Sequence, residues 1–198
     1  MKEEVIVMPK CIDLEALICN TFIDMLEEKP FHTIKVTELT KRANISRSTF
    51  YLYFNSIYDV AEKIENDFYK GLIDEQSTIW QSLPDTNVEL SDVFRNDMLI
   101  TIQYLRKNSK VYCALSGPNG DPSFIVKLNR RTRHWITQLS EKYSSSLSKG
   151  ELDLLAEFVS NGVFSFQRWH LLHLDDLSDE EAADLAWKIL GKSLSVLH

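Results

Sequence analysis

Lys35–Phe54 reads KVTELTKRANISRSTFYLYF, and the spacing within it decides the fold. Val36, Leu39 and Ala43 stand at i, i+3 and i+7, the apolar stripe of one short helix. Asn44 follows where the chain must turn sharply. Asn enters the left-handed region more readily than any residue except Gly, so it suits the position just past a helix end. Ile45 then plugs the core, and Ser46 is placed to cap a second helix, Arg47–Tyr53. In that helix Phe50 and Phe54 face inward at i, i+4, leaving Arg47, Ser48, Thr49, Tyr51 and Tyr53 outside. Arg, hydroxyls and tyrosines on a surface helix suit phosphates and base edges. Ser48 and Thr49 lie at the tip, where base edges come within reach, and Arg47, Tyr51 and Tyr53 are placed to fix register on the backbone. The stretch is therefore expected to be a helix-turn-helix that reads duplex DNA.

Composition agrees with a small specific footprint. The 198 residues carry a net charge of −7, which argues against a protein that coats nucleic acid generally. Between Lys35 and Ser56, however, Lys35, Lys41, Arg42 and Arg47 face one acid, Glu38. Few glycines and prolines, with long periodic apolar spacing, favour an all-α fold. The three cysteines, Cys11, Cys19 and Cys113, have neither metal nor redox-motif spacing, which speaks for a reducing cytoplasm rather than a disulfide framework. MKEEVIVMPK is too short in apolar residues and too acidic for a signal peptide, and residues 1–11 read as a loose arm. No apolar run approaches the ~18 residues of a membrane helix. No phosphate-cradling Gly loop, nucleophile elbow or H-E-x-x-H is present, so neither an enzyme nor a cofactor is expected.

The segment ISRSTFYLYF closely resembles the tetracycline-repressor (TetR/AcrR) family of bacterial transcription regulators. The resemblance covers roughly residues 12–72; beyond it the chain matches only in size and helical character. It implies a three-helix DNA-binding head (12–72, with the motif at 35–54) and a larger helical effector-binding and dimerisation domain (73–198), about nine helices in all. It further implies a homodimer on a palindromic operator, most relatives being repressors released by a small molecule. A co-activator or protein-interaction module that uses DNA weakly or not at all is the alternative. Three positions depart from the family. Pro30 stands where Gly is usual, so the first turn must be closed differently. Lys35 replaces a Ser or Thr cap, leaving Lys35 and Thr37 as candidate phosphate contacts. Ile57 replaces a backbone-contacting Lys, with the Tyr58 hydroxyl as a partial substitute.

Elsewhere, Asp13 is placed to cap a first helix ending at Glu28, and further helices are expected over 56–76, 88–107, 108–116 and 123–143. Loops are expected at Leu83–Asn87 and Gly117–Pro122. Ser148-x-x-Glu151 and Ser178-x-x-Glu181 are capping boxes opening two final helices, to about His173 and Val196. These two are expected to form an antiparallel pair and, with a second copy, a four-helix interface, through Leu155, Phe158, Val159, Phe166, Leu185 and Ile189. Trp80, Phe94, Tyr104, Tyr112, Phe124, Trp135, Phe164 and Trp169 are the candidate lining of an effector cavity, each with plain core as its other reading. Arg130, Arg131 and Arg133 would either bind an anionic effector or form a solvated face. His170 and His173 lack the further ligands a metal site needs.

Overall fold

The computed structural model describes residues 13–82, 89–142 and 146–197, with the backbone alone at 78–82 and 142. The expected arm at 1–11 and loop at Leu83–Asn87 lie outside the described residues. Within them the chain is all-helical: α1 Leu14–Glu28, α2 Val36–Arg42, α3 Arg47–Tyr51, α4 Ile57–Ser82, α5 Leu90–Lys107, α6 Ser109–Ser116, α7 Pro122–Lys142, α8 Lys149–Leu172 and α9 Asp179–Ile189. Short 3-10 segments follow α1 (Phe31–Thr33) and α9 (Gly191–Leu197).

The start signals act as the sequence implies. Asp13 accepts from the Ala16 amide, and both S-x-x-E sequences close as reciprocal capping boxes. Pro122 opens α7, where its missing N–H costs nothing. At the other end of the chain, α9 stops at Ile189 and tightens into the 3-10 segment rather than running to Val196.

α4 crosses the boundary expected between residues 72 and 73 without a break. One apolar cluster joins Phe22, Leu39, Phe50 and Phe68 of the first four helices to Tyr112 of α6 and Phe124 of α7. A second fills the space between α5, α7, α8 and α9. α8 packs chiefly on α7 and α9 chiefly on α5, so the last two helices are not each other's main partner, contrary to expectation. Each uses its inner face on a different neighbour, which leaves its outer face for something else.

The turn after α1 is closed by a segment from far along the chain. The Phe31 amide donates to the Asn119 carbonyl at 2.7 Å, and Asn119 Nδ2 donates to the Leu26 carbonyl at 3.0 Å. Asn119 thus supplies what a Gly at position 30 would otherwise permit locally, and ties the α6–α7 loop to the head.

Candidate nucleic-acid interface and effector cavity

The reading helix is built from its buried side outward. Phe50 is fully buried and Phe54 nearly so, anchoring α3, which packs on α2, in the core of the head. Asn44 adopts φ 54°, the left-handed turn between α2 and α3. Ser46 caps α3 by accepting from the Thr49 amide at 2.9 Å, and its hydroxyl lies 2.6 Å from Ser48 Oγ and 2.8 Å from Thr49 Oγ1. The tip is therefore a cluster of three hydroxyls. Arg47 and Ser48 are exposed and Thr49 half-buried, while Tyr51 and Tyr53 each leave almost half their surface open. Lys35 and Thr37 are exposed at the start of α2, and Lys35 makes no side-chain cap.

Lys41 is exposed as well, so of these eight residues all but Thr49 are open to solvent. Arg42 instead pairs with Glu28 at 2.7 Å, so it serves the α1–α2 packing. Ile57 is buried, and Tyr58 beside it is exposed, edge-on to Phe31. Asp59 accepts from Ser56 and Asn55 and so caps the start of α4. Those hydrogen bonds hold its carboxyl below the usual carboxylate range. What these residues offer is Arg, Lys and hydroxyl groups on and beside α3, the equipment for a phosphate backbone with a few base edges.

In the body, a small cavity of about 70 Å³ opens between α4, α5, α7 and α8. Of the eight aromatics expected there, Phe94 and Trp135 line it. Tyr104, Tyr112 and Phe124 are instead core of the cluster shared with the head. Phe164 packs on that cluster, and Trp169 is exposed, stacked on His173. The side chain of Trp80 lies outside the described residues. Arg131, one of the arginines read as a possible anion site, lines it, but sequence reasoning missed the rest of the polar lining, Gln76, Asp97, Thr101, Thr132 and Gln167. The signal was there: Gln76 continues the stripe Val60, Ile64, Phe68, Leu72, and Thr101 interrupts Phe94, Met98, Leu105. A polar residue on a buried apolar stripe is the informative exception. Arg131 accordingly leaves the solvated face that was one reading of the arginine group.

Among the residues expected at a dimer interface, Phe158 and Ile189 are well exposed. Leu155, Phe166 and Leu185 are half-buried, and Val159 is buried completely in its own core, so it does not face outward. Leu154, Trp169 and Leu172 of α8 and Val196 do. His170 is buried with Nε2 at 3.0 Å from Asp179, which also pairs with Arg106. His173 instead bonds the Trp169 carbonyl. Among the described residues no three His, Cys, Asp or Glu stand together as a metal site would require. Burial pushes the Cys19 thiol up to about 11 and raises Cys113 as well, so both stay protonated and weakly nucleophilic.

Residues 23–64 match the family model described as bacterial regulatory proteins, tetR family, and residues 95–190 match a transcriptional regulator C-terminal region of the same group. The chain belongs to the TetR family. This TetR-family chain is 29% identical over 106 residues to the HTH-type dhaKLM operon transcriptional activator DhaS of Lactococcus lactis subsp. lactis, a match spanning 53% of this chain and 50% of that relative. Its fold is like that of a TetR-like transcriptional regulator from Rhodococcus sp. RHA1 (TM-score 0.68, 15% identity, 95% of this chain and 98% of that one). It is also like that of the dihydroxyacetone kinase operon activator DhaS (TM-score 0.55, 18% identity, 93% and 97%). The chain is thus a DNA-binding transcriptional regulator of this family. Among the described residues no helix is long and apolar enough to cross a membrane.

Proposed function

We propose that the chain acts as a homodimer that reads a palindromic operator through α3 and responds to a small molecule in the body. The observation that carries this reading is the outward set of exposed Arg47, Ser48, Tyr51 and Tyr53 with half-buried Thr49, backed by buried Phe50 and Phe54. Lys35 and Thr37 add flanking phosphate contacts. One α3 reads one half-site, so two copies about 34–36 Å apart, or a multiple of that, are needed for a palindrome.

The outer face of α8 supports the dimer. Leu154, Phe158, Trp169 and Leu172 are all exposed and fall within about 60° of the helix circumference at 100° per residue. Ile189 of α9 and Val196 are exposed as well, and exposed large apolar side chains in such number are the kind that mark an interface. Phe158→Glu should convert the dimer to a monomer in sedimentation at micromolar concentration; a wild-type chain already monomeric there would remove the interface.

α4 supports coupling between the two functions. Ile57 starts it beside α3, and Gln76 lies on it at the cavity, about 28 Å along at ~1.5 Å per residue. A ligand that shifts Gln76 acts on the helix that positions the head. Release of the operator, and hence relief of repression, follows if the ligand favours a wrongly spaced pair of heads; coupling of this kind is typically ~1–3 kcal/mol. A second reading, activation, is favoured by the 29% identical relative, which is named as a transcriptional activator.

The test is fluorescence anisotropy on the chain's own promoter region at fixed salt. Arg47→Ala combined with Tyr51→Ala should weaken binding by about 30-fold or more and lower the salt slope by about one. Unchanged binding would turn the reading to the alternative, a helical module that acts through a protein partner.

A further inference from the structure

The cavity between α4, α5, α7 and α8 has a specific hydrogen-bond inventory. Gln76 is its hub: Nε2 donates to Asp97 Oδ1 at 2.9 Å and to Thr101 Oγ1 at 2.8 Å, while Oε1 accepts from Arg131 Nη2. The Thr101 hydroxyl itself donates to the Asp97 carbonyl at 2.7 Å. These acceptors are engaged. Two donors are not fully used. Arg131 has five N–H groups and bonds a neutral amide oxygen; Asp97 acts on it without a direct ion pair. Gln167 is 7% exposed, and its Nε2 reaches the Met98 thioether at 3.8 Å, a weak acceptor. A buried amide N–H held only by a thioether and a half-buried guanidinium whose side-chain bond goes to a neutral amide line the same cavity, so an anion entering it meets two donors.

We propose that this cavity binds a short-chain monocarboxylate, its two oxygens received by Arg131 and Gln167 and its hydrocarbon end by Phe94, Met98 and Trp135. The inference rests on reading the body as the effector site and assigns that site its ligand class. A guanidinium makes a charge-assisted hydrogen bond to a carboxylate oxygen that a neutral hydroxyl cannot match. A volume of about 70 Å³ is well below the ~300–1,000 Å³ of a drug-sized site, so the tail is short. Burial also pushes the Asp97 carboxyl up to about 7, so near neutrality it is in part uncharged and leaves Arg131 without a full counter-ion.

Isothermal titration of the full-length protein with propionate and butyrate, against propionamide, butyramide and glycerol at equal ionic strength, tests this directly. The carboxylates should bind saturably, and the amides about tenfold or more weakly. Arg131→Gln should lose about tenfold or more of the butyrate affinity, Arg131→Lys should recover part, and Asp97→Asn should tighten binding at pH 8. Operator binding retained by Arg131→Gln certifies that the variant is folded, and the wild-type comparison of acid with amide needs no variant. Equal binding of amide and acid, preference for glycerol, no loss in Arg131→Gln, or no saturable heat from any carboxylate would overturn the proposal. If butyrate binds as expected but leaves operator affinity unchanged, the ligand class stands and the effector reading falls. If a neutral amide binds and releases the operator, the reverse holds.

Discussion

Gly120→Ala should lower the unfolding free energy by about 3 kcal/mol or more, seen as a fall in Tm of roughly 6–12 °C. A Cβ at this position would lie 2.0 Å from the Leu115 carbonyl oxygen and 2.8 Å from that of Ala114. Both are backbone atoms at the end of α6, so no side chain can step aside. The loop must move instead, and it is held at both ends. Gly120 donates to the Gly117 carbonyl at 3.1 Å, and the adjacent Asn119 carries both bonds to the turn after α1. A displaced loop therefore frees the Phe31 amide and the Leu26 carbonyl, and the loss reaches the DNA-binding head. Amide exchange at Phe31 should accelerate in Gly120→Ala alongside the drop in Tm. Asn119→Ala is the milder comparison: it leaves the loop's path intact and removes only the side-chain bond to Leu26, costing about 1–3 kcal/mol. A Gly120→Ala melt coincident with wild type would mean the α6–α7 loop does not approach α6 so closely.

Much of the head was legible because its determinants are local. A helix stop at Asn44, a cap at Ser46 and inward phenylalanines at i, i+4 act within one or two turns, and the structure places each as its chemistry requires. The closure of the Pro30 turn was not legible. Its partner, Asn119, is separated by most of the chain, and no periodicity links the two. The body shows a different limit. Hydrophobic spacing on α8 finds apolar positions but cannot say which face meets its own core and which meets another surface. Val159 and Phe158 are neighbours in sequence, both apolar, and lie on opposite sides of that division. Aromatic residues misled in the same way: Tyr104, Tyr112 and Phe124 pack the junction with the head, where large rings fill space between converging helices. The polar interruptions at Gln76, Thr101 and Gln167 were the better guide to a cavity, since a buried amide or hydroxyl must be offset by a partner.

Those interruptions set an electrostatic balance with a measurable sign. Burial pushes the Asp97 carboxyl up to about 7 in the folded protein, against the opposing pull of Arg131, whereas an unfolded aspartate titrates near ~3.9. Between those values the folded state binds more protons than the unfolded one, so this group makes stability fall as pH rises from about 4 to 7 and then level off. The penalty is absent below the unfolded value and fully present above the folded one. Asn is close in shape to the protonated carboxyl, and its carbonyl can still accept from Gln76 Nε2. Asp97→Asn should therefore be stabilising by only about 1 kcal/mol at pH 4.5 and by at most about 4 kcal/mol at pH 8, for roughly three pK units. Urea midpoints for both proteins across that range isolate the effect, because every other titrating group cancels in the difference. A difference that stays flat with pH would mean Asp97 is ionised throughout and serves as the Arg131 counter-ion. The cavity would then be electrically satisfied, with little to attract an anion. A difference that grows with pH marks Arg131 as the group awaiting a partner.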